Sequence, residues 1–253
     1  MRKRLIPVLT VDRDRRLVKT VRFGERTYVG DPFNVVRLFN DKEVDEICVL
    51  DLDATVDRRV PDFGFLRELA SECFMPLAYG GGISALAHCE QLNRIGVEKF
   101  VLGDAALDTG LVHEVSRDLG SQALVACVDV AGAGSDARCV TRSAKHATGR
   151  TPLEHCLALQ DAGVGEIILQ SVDRDGSRQG YDLALIASIS PRLDVPLVAL
   201  GGAGKSRHLA EALHAGASAA ASGSAFTFIG RLRAVLVTYP GRAEMDAIAR
   251  LAA

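Results

Sequence analysis

Short apolar runs alternate along the whole chain with longer stretches in which apolar residues recur at helical spacing. The runs predict strands at Arg4–Thr10, Glu46–Asp51, Pro76–Gly80, Lys99–Gly103, Ala123–Asp129, Glu166–Ser171, Pro196–Gly201 and Ala217–Ser222. Some of the stretches between them carry helix-start signals. Asp31-Pro32 offers an N-cap followed by proline at the first helical position. Thr151-Pro152-Leu153-Glu154 reads as a capping box. Strands bounded by glycine and separated by helices imply parallel pairing through right-handed crossovers. Eight such units close a barrel, so the predicted class is α/β, a single (β/α)₈ TIM barrel over residues 1–253. An open doubly wound sheet is the alternative, but it normally shows a dominant nucleotide loop near its start, and the sequence has none.

The pattern also repeats. Glu46–Asp53 (EICVLDLD) lines up with Glu166–Asp173 (EIILQSVD) under a shift of 120 residues. That shift carries Pro76 onto Pro196, Gly81-Gly82 onto Gly201-Gly202, and Gly103-Asp104 onto Gly223-Ser224. At a shift of 119, Leu5–Thr10 matches Leu124–Asp129. Two half-barrels, approximately 1–120 and 121–253, are expected from this period.

Composition narrows the function classes. With 48% hydrophobic and 25% charged residues, the 253-residue chain can bury a sizeable core. A net charge of −2 and the lack of a basic run argue against nucleic acid or an anionic membrane surface as partner. The apolar run after MRKR is too short for a signal peptide or a membrane span. Six cysteines lie scattered, with no CxxC pair and no His/Cys cluster, which predicts a reduced, cytoplasmic protein without a zinc site. The histidines show no ligand spacing and read as solvated or packing residues.

Glycine clusters mark the candidate chemistry. Gly80-Gly81-Gly82 closes the third strand, Gly201-Gly202-Ala203-Gly204 the seventh, and Ser222-Gly223-Ser224 follows the eighth, before a stretch read as helical. Glycine lets backbone amides approach an anion, and a helix N-terminus adds a favourable dipole. The loops after strands seven and eight are the usual phosphate grip of such a barrel. In the first half Asp104 stands where Ser224 stands in the second, and a carboxylate repels phosphate. Asp129 ends strand five, where barrel chemistry is found, although a loop cap is the bland alternative. Its partner in the repeat is Thr10, whose hydroxyl does not titrate near neutral pH. Asp12 lies two residues beyond, about 6.5 Å along an extended strand and too far to replace it. Asp51 and Asp53 are further carboxylates near the mouth. Val130–Arg150 reads as a long loop overhanging the mouth, with Arg142 and Ser143 as possible contacts.

Over essentially its full length the sequence resembles the HisF family, the cyclase subunit of imidazole glycerol phosphate synthase. Lys3–Leu9, Leu17–Lys19, Gly30-Asp31-Pro32, Gly80–Ile83, Gly120–Ala123, Ser171–Gly176 (SVDRDG), Gly180-Tyr181-Asp182 and Gly201–Lys205 (GGAGK) carry the resemblance. It implies a barrel that takes ammonia from a glutaminase and cyclises a bis-phosphorylated ribulosyl aminoimidazole with two aspartates, without metal or redox cofactor. The second catalytic aspartate falls on Asp129 and the first on Thr10. Substrate and phosphate contacts fall on Lys19, Gly82, Asp175, Gly176, Gly202 and Ser224, beside Gly223 of the glycine cluster above, although a solvated surface lysine is the plain alternative for Lys19. The ammonia gate falls on Arg4, Glu46, Lys99 and Glu166, for which a structural ion-pair plug is the alternative reading.

Three hypotheses follow from the resemblance. An intact doorway with half of the acid–base pair missing points to a paralogue that supplies ammonia to another acceptor. Amidination of nucleotide-linked sugars for surface polysaccharide, with a separate amidotransferase, is the expected setting. An ordinary histidine-pathway cyclase comes second. A phosphoribosyl isomerase, which needs no glutaminase, comes third.

Overall fold

The computed structural model describes residues 3–230 and 232–252. Eight parallel strands form its centre: β1 (Arg4–Val11), β2 (Ile47–Asp51), β3 (Leu77–Gly80), β4 (Lys99–Leu102), β5 (Leu124–Ala131), β6 (Glu166–Ser171), β7 (Leu197–Leu200) and β8 (Ala219–Ser222). Each pairs with the next, and β8 pairs with β1, closing a TIM barrel. Helices α1 (Pro32–Asn40), α2 (Phe63–Ser71), α3 (Leu86–Arg94), α4 (Thr109–Leu119), α5 (Pro152–Asp161), α6 (Leu183–Ile189) and α7 (Ser206–His214) cross between strands, and α8 (Arg242–Leu251) ends the ring. Both anticipated caps form. Asp31 accepts the amide of Asn34, and Thr151 and Glu154 bond reciprocally.

Alternation along each strand sorts the side chains into two cores. Leu5, Leu9, Ile47, Val49, Phe100 and Leu124 face outward and pack with helix residues such as Phe39, Leu66 and Leu69. Burial of each such side chain contributes about 1.5–3 kcal/mol, and this layer is what holds the helices on the barrel. The alternate positions, Ile6, Val8, Cys48, Ala78, Val101, Val125, Ile168, Val198 and Ala219, fill the barrel interior. Continuing the inward series downward reaches Arg4, Glu46, Lys99 and Glu166. Continuing it upward reaches Thr10, Asp129 and Gln170. Strand periodicity therefore sets charges at the floor and polar groups at the mouth, with an apolar belt between.

Two expectations change. Val130–Arg150 is not a plain loop: β5 runs on to Ala131 and pairs antiparallel with Arg138–Thr141, which pairs with His146-Ala147. The stretch after Ser224 is a turn rather than a helix, with Ser224 O accepting the amides of Thr227 and Phe228. A hairpin, Phe228-Ile229 with Ala234-Val235, follows it.

Candidate functional site at the barrel mouth

The mouth holds a cavity of about 40 Å³, lined by Thr10, Lys19, Thr20, Gln170, Asp175, Gly176, Gly202, Gly223 and Ser224 among others. Loops of the second half shape most of it. At Gly202 φ is +110°, and a Cβ there would lie 2.2 Å from Gly180 O, so only glycine lets this loop close. The Gly202 and Gly223 amides take no hydrogen bond among the described residues, and helix α7 begins without a side-chain cap. Ser224 is buried and lines the cavity, and its own amide bonds to Ser222 Oγ at 3.2 Å. Unspent amides beside an uncapped helix start suit an anion.

The equivalent place in the first half is already occupied by protein. Thr55 Oγ1 accepts the Gly82 amide at 3.2 Å. Asp104 accepts the Arg142 amide at 3.1 and 3.2 Å through its two oxygens. Neither Gly82 nor Asp104 borders the cavity. Ser143 is exposed and does not border it either.

Asp129 and Thr10 both occupy inward positions, and Thr10 borders the cavity. The Thr10 hydroxyl donates to Val18 O, in the short strand Leu17–Lys19 that folds back on β1. Among the described residues, the Asp129 carboxylate accepts only the Cys127 thiol, at 3.7 Å. Burial pushes its pKa up to about 7; the thiol opposes this, and the charges of Asp104 and Asp175 add to it. Among the described residues, no second inward carboxylate stands at the top of β1. Asp12 instead closes a turn, accepting the amides of Asp14 and Arg16 and the Arg16 guanidinium at 2.8–3.0 Å.

Lys19 is no surface lysine. It is 6% exposed, its Nζ lies 2.6 Å from Val8 O, and burial lowers its pKa to about 8 against the opposing charge of Asp175. Asp175, itself raised by burial, accepts the Thr20 hydroxyl at 3.0 Å. Asp51 and Asp53 organise the loop after β2. Asp51 accepts the amides of Asp53 and Ala54, while Asp53 takes a bidentate pair from Arg26 at 2.6 and 2.7 Å that holds its pKa near 2. Tyr181 Oη donates to Ala221 O at 2.8 Å, tying the loop after β6 to β8.

At the floor the four charges form a ring. Arg4 bonds Glu46 at 2.5 Å and also Glu166, while Lys99 bonds Glu46 at 2.8 Å and Glu166 at 2.7 Å. Directly above is an apolar void of about 10 Å³. That is room for about one molecule of water or ammonia.

The histidine biosynthesis protein family model matches residues 4–232. "Putative imidazole glycerol phosphate synthase subunit hisF2" of Pseudomonas aeruginosa is 44% identical, covering 97% of this chain and 99% of the relative. A protein of similar name, hisF3 of Vibrio vulnificus, is 39% identical over 96% and 95%. The imidazole glycerol phosphate synthase subunit HisF of Exiguobacterium sibiricum is 36% identical over 88% and 90%. The chain belongs to the histidine biosynthesis protein family.

In this HisF-like barrel the structure brings together Thr10, Lys19, Asp175, Gly176, Gly202, Gly223 and Ser224 around one cavity, and leaves Gly82 outside it. Gln170 and Cys127 were missed by the sequence reading. Both were legible as inward positions, since Gln170 pairs with Asp129 in the β5–β6 register and Cys127 donates to both residues. Among the described residues, no group of three or more His, Cys, Asp or Glu is placed to hold a metal ion, and no helix is long and apolar enough to cross a membrane.

Proposed function

We propose that this protein is a synthase subunit that receives ammonia from a glutaminase at the floor and passes it through the barrel to the mouth. There it serves an acceptor other than the histidine-pathway substrate. The observation that carries this reading is Thr10. It takes the inward place near the end of β1 where a catalytic aspartate is expected, and its hydroxyl proton is donated to Val18 O. A positioned acid or base contributes about 10²–10⁴ in rate, and threonine supplies neither.

The remaining geometry fits transit and anchoring. Ammonia enters when one contact of the Arg4–Glu46–Lys99–Glu166 ring opens, and crosses an apolar belt wide enough for about one small molecule. The mouth grips one phosphate through the Gly202 and Gly223 amides and the Ser224 hydroxyl, with Lys19 as its nearby cation. Asp129, with a pKa near 7, can exchange one proton at neutral pH. Closure of the first-half site by Thr55 and Asp104 removes the grip for a second phosphate. A nucleotide-linked sugar amidinated by a separate cytoplasmic amidotransferase fits this pattern. The ordinary cyclase is the second reading, favoured by the placement of Asp129. An isomerase leaves the charged floor without a purpose.

Mixing the purified barrel with a HisH-type glutaminase tests the partnership. The reading predicts co-elution and a rise in glutamine hydrolysis that Lys99→Glu weakens. Absence of both association and stimulation overturns it.

A further inference from the structure

The β1–β8 ladder stops at the Pro7–Ser222 pair. Above it the chain turns away from β1, because Ser222 Oγ accepts the amides of Ser224 and Ala225 at 3.2 and 3.0 Å. The Val8 carbonyl, next along β1, takes the Lys19 ammonium at 2.6 Å, and Thr10 Oγ1 lies 3.5 Å from the same nitrogen. Gly223 permits this approach, since a Cβ there would stand 2.7 Å from Nζ. No carboxylate bonds the ammonium among the described residues, and Asp175 acts on it only at longer range. Val8 borders both the void and the mouth cavity, and Lys19 borders the mouth cavity, so the tethered ammonium lies on the mouth side of the residue the two spaces share.

We propose that this seat, made by the Val8 carbonyl and the Thr10 hydroxyl, is a binding site for ammonia or ammonium at the head of the barrel interior. Lys19 occupies it in the ligand-free protein and leaves it when a phosphate binds at Gly202, Gly223 and Ser224. The proposal rests on the reading of the barrel as an ammonia carrier. A lysine ammonium and an ammonium ion both present cationic N–H donors, three in one and four in the other, so acceptors placed for the first can hold the second. A phosphate dianion attracts the lysine charge more strongly than a neutral carbonyl does, and it would bind beside Gly223, which Nζ already touches. Ammonia is thus held in this seat only while an acceptor is present. The desolvation that lowers Lys19 to about 8 acts on any amine in that place, favouring uncharged, nucleophilic ammonia once an ammonium ion has given its proton to water at the mouth.

The test uses the barrel alone. Ammonium chloride is titrated at constant ionic strength with sodium chloride as control, and stabilisation against thermal unfolding is read for each salt. Lys19→Ala empties the seat and should bind ammonium about ten-fold or more tighter than sodium. Adding Thr10→Val should remove most of that preference. The wild type should respond to ammonium only with saturating inorganic phosphate. A Lys19→Ala protein indifferent to ammonium overturns the proposal, as does a wild type that responds equally with and without phosphate. Should Lys19→Ala not fold, the wild-type titration decides alone. Loss of this effect with glutaminase stimulation intact removes the seat and leaves the carrier reading standing; the reverse pattern removes only the partnership.

Discussion

The floor and the mouth of this barrel use similar residues in opposite ways. At the floor, two cations and two carboxylates satisfy one another through four contacts. At the mouth, Asp129 accepts a thiol, Asp175 a hydroxyl, and Lys19 donates to a carbonyl, and among the described residues none of the three is directly ion-paired. A closed ring is self-sufficient and holds strands in register. Buried groups without a charged partner have shifted pKa values, and of these three Lys19 and Asp175 border the mouth cavity. Under the proposed function, the difference separates the part of the barrel that would control passage from the part that would meet substrate.

Breaking the floor should have the largest effect. Glu166→Gln leaves Arg4 and Lys99 each short of a partner in a largely buried place and should destabilise by about 3–5 kcal/mol in chemical denaturation. The paired change Glu46→Gln with Lys99→Met should cost less than either change added to the other. The mouth should respond with the opposite sign. The folded pKa of Asp129 is raised, so between its unfolded pKa near 3.8 and about 7 the native state keeps a proton that the unfolded chain has lost. Stability therefore falls as pH rises through that window. Asp129→Asn should stabilise by about 2–4 kcal/mol at pH 8 and hardly at all at pH 4. Lys19 is depressed, so its burial cost is present below about 8 and fades as pH rises toward 10.5. Lys19→Met should stabilise by about 1–2 kcal/mol at pH 7, less than the shift alone implies because the Val8 bond is lost. The smallest effect concerns the two halves of the mouth. Asp104→Ser should change stability within about 0.5 kcal/mol and create no second phosphate site, because Thr55 still holds the Gly82 amide. Ser224→Asp should abolish inorganic-phosphate binding by equilibrium dialysis.

Strands were legible because an eight-stranded barrel demands apolar residues at both parities, which leaves dense short runs bounded by glycine. The inward placing of Thr10 and Asp129 followed from the same alternation. The fold-back after β5 was not legible, since its outer strand Arg138–Thr141 sits in a Gly-, Ala- and Ser-rich segment without a long apolar run. The seating of Lys19 was hidden for a similar reason. The strand that delivers it has three residues, and its position depends on where β8 turns away from β1. Asp12, Asp51 and Asp53 look alike in sequence, and their duties emerge only from partners such as Arg16 and Arg26. Periodicity reveals which way a side chain faces, whereas tertiary neighbours decide whether its charge is already spent.

The most direct measurement is turnover of the bis-phosphorylated ribulosyl aminoimidazole substrate by the purified protein supplied with ammonium salt, which bypasses any glutaminase. A barrel with Thr10 at the inward position near the end of β1 should show no appreciable cyclisation. Turnover at the rate of an ordinary cyclase would contradict the account.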